Sequence, residues 1–325
     1  ELEDYEIFSP SLNLELNKTG SFIFTIYSNH PNYDKLKKLK SIVQVFQGDT
    51  LYFRGRILND TVGFHNERKV SCEGELAFLL DSVQRPFKFP ATEGDPATPE
   101  DYFKFLLNRH NAQVGADHQF AVGTVSVTDP NNYISRSDSE YSSTWQLVKE
   151  GLIGTHGGYV WIDTDDNGKR RINYLSDFST LGNQPVEFGK NLLDILTERK
   201  GEDVATAILP LGKADKETNE RVTISGIADE ETDDICKSGD FVYSKAAEAL
   251  YGYRITKVVT WDDVTQASNL LRKAREKLSN SVLQEQTTEF SAADLSAAGY
   301  DFNSFRLGTY ITAKSEPHSA SHGLT

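Results

Sequence analysis

Residues 21–86 read SFIFTIYSNHPNYDKLKKLKSIVQVFQGDTLYFRGRILNDTVGFHNERKVSCEGELAFLLDSVQRP, and this stretch decides the fold. Phe22, Phe24 and Ile26 fall on one side of an extended chain, as do Leu51, Phe53, Gly55 and Ile57, and then Val70, Cys72, Gly74, Leu76 and Phe78. Apolar residues at every second position are the pattern of strands with one face on a core and the other in water. Polar breaks stand where hairpin turns are needed, at Asn17-Lys18-Thr19-Gly20, Gln47-Gly48-Asp49 and His65-Asn66-Glu67-Arg68. Short antiparallel strands spread over residues 5–82 predict a small barrel or sandwich. Leu36 and Leu39 are spaced as on one helical turn, so residues 33–40 are expected to form a short helix closing one side.

Residues 86–99 carry Pro86, Pro90, Pro96 and Pro99 among small and polar neighbours, which marks a boundary. Beyond it the period changes. Thr98 is a helix N-cap followed by Pro99, Glu100 and Asp101, and Tyr102, Phe103, Leu106 and Leu107 share a face, predicting a helix to about residue 108. Trp145, Leu147, Val148 and Leu152 predict a second helix over 144–153, and strands expected at 119–127, 158–163 and 170–175 make this middle part α+β. Past Pro185 strand signals return at 186–188, 192–200, 204–212 and 221–225, interrupted by an acidic loop at 228–234. Val264, Ala267, Leu271, Ala274 and Leu278 follow steps of three and four, the clearest helix of the chain, with strands expected again at 286–290 and 305–313. Residues 315–325 are polar and unpatterned and are expected to be flexible, or the cut end of a longer chain.

Composition narrows the function. At 325 residues the chain can bury two or three cores, and 18 Phe and 14 Tyr among short alternating runs mark a strand-rich protein. A formal charge of −14 argues against gripping nucleic acid through its phosphates and suits a surface that DNA slides past. No apolar run reaches the roughly 18–20 residues of a membrane-spanning helix, and the start of the chain lacks a signal-peptide pattern, so synthesis in the cytoplasm is expected. No methionine occurs and the chain starts at Glu1, as expected of a processed or excerpted chain, or of one written without its modified methionines.

Candidate chemistry is thin. Residues 163–168, DTDDNG, match the first half of a calcium loop, but Tyr174 stands where the bidentate glutamate is needed. The flanking runs 159–162 and 170–174 alternate like two strands, and Asn167-Gly168 is the favoured pair of a tight hairpin turn. His30, His65, His110, His118, His156, His318 and His322 fall in no compact ligand spacing, and Cys72 and Cys236 form no ligand motif and are expected to be reduced thiols, Cys72 buried in its strand. No serine occupies a G-x-S-x-G elbow. Residues 154–158, GTHGG, join a helix to a strand, the reverse of a phosphate cradle, and read as a helix C-cap. Catalytic, cofactor-binding and metal-ligating residues are therefore assigned to none, and no cofactor is expected. Lys35, Lys37, Lys38 and Lys40 read as a solvated face or a contact with an acidic neighbour, and Tyr133, Tyr141 and Tyr300 as exposed aromatics able to meet carbohydrate.

The wording of residues 21–58 and 69–86 resembles the N-terminal structural region of the prophage endopeptidase tail family, proteins of siphophages and prophages of Gram-positive bacteria, including those of Listeria. Further phrases continue it: VTDPN (127–131), NYLSDF (173–178), VEFGKNLLD (186–194), ILPLG (208–212), VTWDDV (259–264) and FRLGTY (305–310). The resemblance implies a mainly β fold with an α+β insertion, similar to the baseplate hub of contractile-tailed phages. Two small β-barrel domains would lie beside an α+β domain. Residues 1–85 would form the first barrel, completed by strands near 186–200; 86–185 the α+β domain, joined by the helix 262–280; and 186–325 the second barrel with its flexible tail. It further implies a virion tail-tip protein forming a homotrimeric ring that adapts the sixfold tail to a threefold tip and gates DNA ejection. Its partners would be the distal tail protein ring, the tape measure protein and tail fibre or receptor-binding proteins, with phage DNA passing through unbound. The alternative implied by the family's name is a tail-associated endopeptidase degrading host peptidoglycan, for which the sequence offers no catalytic residue.

Overall fold

The computed structural model describes residues 5–318 except 93–94, 130–133, 166–167, 201–203, 216, 233, 263 and 282–284. The chain is mainly β with several helices, and it divides into two compact units, residues 1–183 with 303–311, and residues 184–302 with 312–325.

The first unit begins with a curled half-barrel sheet of β1 (Phe8–Asn13), β2 (Ser21–Ile26), β3 (Ile42–Gln47), β4 (Thr50–Val62) and β5 (Arg68–Gly74), in the order β1-β2-β5-β4-β3 and antiparallel throughout. The alternation read from the sequence is its inner face. Phe22 lies opposite Cys72, Phe24 opposite Val70, Ile57 opposite Cys72 and Gly55 opposite Gly74, and all of them are buried. Register slips in β1, β3 and β4 add the local twist that curls the sheet. The turns fall at the polar breaks, with Asn17, Gly48 and Asn66 in the left-handed region that Asn and Gly tolerate.

Two details of this region differ from expectation. Residues 33–40 form successive turns instead of a helix, because Leu39 has φ +57° and its N–H bonds the carbonyl of Ile57 in β4. The alternation also stops at Gly74: Glu75–Leu80 is a 3-10 turn, and its Leu76, Phe78 and Leu79 enter a second core. That core collects α1 (Pro99–Asn111), α2 (Thr144–Val148) and the sheet β7-β10-β9. Here β6 (Phe87–Phe89) pairs with β8 (Arg136–Asp138), while β7 (Ala121–Val125) and β9 (Tyr159–Thr164) flank β10 (Arg170–Leu175). Thr98 caps α1 in a reciprocal box with Asp101. After α2 a π turn (Lys149–Ile153) and α3 (Gly154–His156) complete the predicted second helix. Residues 303–311 return to this unit: Tyr310 bridges Leu181, and its hydroxyl donates to both oxygens of Asp177 at 2.6 and 2.7 Å.

In the second unit β11 (Val186–Glu187) pairs in parallel with β18 (Ala313–Lys314), and β12 (Leu192–Lys200) forms an antiparallel ribbon with β17 (Glu285–Ala292). The strands near 186–200, expected to complete the first barrel, thus take their hydrogen bonds within this unit. β13 (Ala207–Leu211), β14 (Ile235–Ser238), β15 (Phe241–Ser244) and β16 (Thr256–Thr260) make a sheet ordered β14-β15-β13-β16, with α4 (Lys245–Tyr251) between β15 and β16. α5 (Ala267–Ser281) places Leu270, Leu271, Ala274 and Leu278 against Ala205, Ile208, Ile224 and Val242. The apolar stripe of this helix, expected beside the middle domain, is buried against the sheet of its own unit. Residues 221–225 contribute one bridge, Arg221 to Ala214, and residues 305–313 one bridge at Tyr310 and the start of β18, in place of the expected strands. Residues 319–325, read as a flexible tail, lie outside the described residues.

Candidate functional site

Charged side chains concentrate where the curled sheet meets the second core. Glu75 follows β5 directly, and β4 and β10 each bring a guanidinium to it. Arg54 Nη1 and Arg170 Nε share its Oε1, the latter at 3.0 Å, and Arg170 Nη2 donates to Oε2. Arg170 Nη1 also donates to Thr164 Oγ1. The Glu75 side chain is 4% exposed, so its charge is held by the two cations and not by water. Two guanidiniums on one carboxylate leave a positive surplus on the wall of a cleft of about 400 Å³. The cleft is walled by the turn after β1, the start of β4, residues 74–76, β9, and Arg306 with Leu307 of the returning segment. Asn17 secures one side: its amide donates to Gly158 O at 3.0 Å and accepts from Val160 N at 2.9 Å.

A second ion-pair system lies beside it. Arg56 donates to Glu73 at 2.8 Å and to both oxygens of Asp81 at 2.5 and 2.9 Å, and its guanidinium sits 5.3 Å from the Phe78 ring centre. Desolvation works against the cation, but the bonds to Asp81 and Glu73 prevail and raise its pKa. His118 stacks on Phe78 at 4.2 Å and approaches Asp81 at 3.3 Å.

A serine and a histidine do meet. Ser82 Oγ lies 2.7 Å from His110 Nδ1, and His110 Nε2 lies 3.1 Å from the carbonyl of His118. Sequence reading gave this pair no role, and no short motif could have found it, since α1 brings His110 to Ser82 across 28 positions. A nucleophile needs access and a base oriented by an acid. Ser82 and His110 are buried, the histidine's second nitrogen faces a carbonyl, and Ser82 is also 2.6 Å from Thr144 Oγ1. Burial lowers the His110 pKa, which keeps the ring neutral, and Gln84 completes the knot by donating to Thr144 Oγ1 and Leu106 O. The cluster holds α1, α2 and residues 82–84 together.

The remaining sequence candidates are dispersed. β9 and β10 pair as an antiparallel hairpin, with Lys169 N donating to Asp165 Oδ1, while Asp166 and Asn167 lie outside the described residues. No group of three or more potential metal-ligating side chains occurs among the described residues. Cys72 and Cys236 are buried free thiols, and burial pushes Cys72 up to about 12, far from a reactive thiolate. Lys38 pairs with Asp60, as does Arg68, and the two bonds hold that carboxyl below its usual range. In the acidic loop Asp229 is paired to Lys237, Glu230 to Arg275 and Glu231 to Lys245. Tyr141 and Tyr300 are exposed, and Tyr133 lies outside the described residues. The Glu75 clamp was missed although a signal existed: Glu75 is a lone charge opening an apolar run, where only a paired carboxylate is tolerated.

Comparison with known proteins bears out the family resemblance. Residues 182–322 match the family model described as prophage endopeptidase tail. Two solved structures share the fold. The 43 kDa tail protein of prophage MuSo2 from Shewanella oneidensis matches with a TM-score of 0.58 at 12% identity, over 92% of this chain and 82% of that one. The prophage tail protein gp18 from Listeria monocytogenes EGD-e matches with a TM-score of 0.51 at 13% identity, over 95% of this chain and 79% of that one. No curated protein sequence matches. The two solved structures show a shared fold, and the family match covers residues 182–322.

Proposed function

We propose that this chain is a non-enzymatic hub of the phage tail tip. In this reading two small β-barrel domains flank an α+β domain, and three copies form a ring joining the sixfold tail to a threefold tip, gating DNA ejection. Its partners would be the distal tail protein, the tape measure protein and the fibre or receptor-binding proteins. The observation that carries the reading is the likeness to two prophage tail proteins over nearly the whole chain, joined to the family match at residues 182–322. The net charge of −14 supports it too, since an acidic ring lets DNA pass without adhering. The endopeptidase implied by the family's name finds no help in the Ser82–His110 contact, which is sealed from substrate.

Light scattering after size exclusion tests the hub against a monomer of 36.4 kDa. A mass near three subunits is expected, alone or with the distal tail protein present. A monomer under both conditions, together with cleavage of purified peptidoglycan, would overturn the hub in favour of the peptidase.

A further inference from the structure

The cleft beside Glu75 has a chemistry that a purely structural hub does not require. We propose that it binds an anionic sugar, a saccharide unit bearing a carboxylate or a phosphate.

Three features point there. The first is charge. Arg170 commits Nε, Nη1 and Nη2 to Glu75 and Thr164, whereas Arg54 commits Nη1, so its other N–H groups remain for a ligand at a side chain that is 17% exposed. Arg306 adds a third guanidinium, positioned over the Tyr52 ring at 5.9 Å. Carboxylates that could repel an anion are occupied or peripheral: Asp163 is held by Arg171 at 2.5 and 3.0 Å, Glu15 by Lys18 at 2.5 Å, and Asp49 lies exposed in the turn between β3 and β4. Guanidiniums grip carboxylate and phosphate oxygens with short, directional, charge-assisted bonds.

The second feature is shape. About 400 Å³ lies within the usual range of small-molecule sites and holds a sugar unit of modest size. The third is the lining, where Tyr52 and Trp161 offer ring surface and Thr50 and Thr164 offer hydroxyl groups. Apolar rings beside hydroxyls and cations match a pyranose, which has C–H faces, a polar rim and here a charged substituent. The Arg54–Glu75–Arg170 clamp fixes the cationic wall before the ligand arrives, which reduces the ordering cost of binding.

The test is calorimetric titration of the full chain with glucuronic acid, glucose 6-phosphate, glucose and inorganic phosphate. At least one anionic sugar is expected to saturate, binding at least about tenfold more tightly than both glucose and inorganic phosphate. The two anionic sugars distinguish a carboxylate from a phosphate preference. Arg306→Ala, on the returning segment and outside the buried clamp, is expected to weaken binding about fivefold or more with an unchanged melting curve, and added salt to weaken it further. Arg54→Lys should weaken it as well by removing the forked donor. No saturation by either anionic sugar at millimolar concentration overturns the proposal. So does equal binding of glucose, equal binding of inorganic phosphate, or indifference to both substitutions. Subunit mass is read separately, so this proposal and the hub can fail independently.

Discussion

The curled sheet and the ribbon of β12 with β17 are both antiparallel, yet they use their apolar side chains in opposite ways. In the sheet, Phe24, Ile57, Val70 and Cys72 are 5%, 0%, 0% and 2% exposed, on one face that supports a core. In the ribbon, Leu193 is 71%, Leu196 60% and Phe290 37% exposed, although eight register pairs hold its two strands together. Alternation therefore announces a strand without announcing burial. What separates the two regions is the number of neighbouring strands: five strands can curl around their own side chains, whereas two cannot enclose anything.

Substitutions sharpen this contrast. Phe24→Ala empties a site packed by Phe22 at 5.3 Å and is expected to cost about 3–5 kcal/mol in urea unfolding. A cost below about 1 kcal/mol would show that the inner face is not a packed core. Gly74→Ala tests the same region from the opposite side. An added Cβ would lie 2.0 Å from the backbone oxygen of Thr19, so overpacking of about 1–3 kcal/mol is expected by the same measurement.

The returning segment gives a pH-dependent contrast within the first unit. The Tyr310 hydroxyl, and then the Phe178 N–H, hold the Asp177 carboxyl below its usual range, while the same contact raises Tyr310. A lowered carboxylate pKa stabilises the folded arrangement above the ordinary aspartate range, and that contribution is lost as pH falls through the lowered value. The protection of amides over residues 303–311, taken relative to the intrinsic exchange rate at each pH, should therefore fall at acid pH. In Asp177→Asn the acid dependence of that protection should disappear, and a retained dependence would assign it to another group. The smallest effect belongs to the ribbon: Leu196→Ala in the isolated chain should change stability by no more than about 0.5 kcal/mol, and a core-sized loss would erase the contrast.

Legibility followed locality. The hairpin turns, β2, β4, β5, the Thr98 cap, α1 and the β9–β10 hairpin could be read because each rests on residues close in sequence. Misreadings came where distant partners override local signals. Residues 33–40 bear a helical spacing of leucines, but the Leu39 N–H is claimed by the Ile57 carbonyl. Leu76 and Phe78 continue an alternation on paper, but Glu75 must reach Arg170 across 95 positions, and the chain turns there. β14, β15 and β16 went unread because their short, mixed runs become strands through pairing with β13 and with one another. The Ser82–His110–Thr144 knot was invisible for the same reason, as it joins three separate segments.

The sequence by itself determined a mainly β chain with helices, an inner sheet face, an acidic surface without a membrane-spanning helix, and a resemblance to prophage tail proteins, since composition, period and turn residues act over a few neighbours. Only the tertiary structure decided that α5 packs on the sheet around β13, that residues 303–311 return to the first unit, and that Arg54, Glu75 and Arg170 converge on one cleft. These are outcomes of burial and charge pairing between residues far apart in the chain: apolar stripes and lone charges need partners, and the folded packing selects which ones they find.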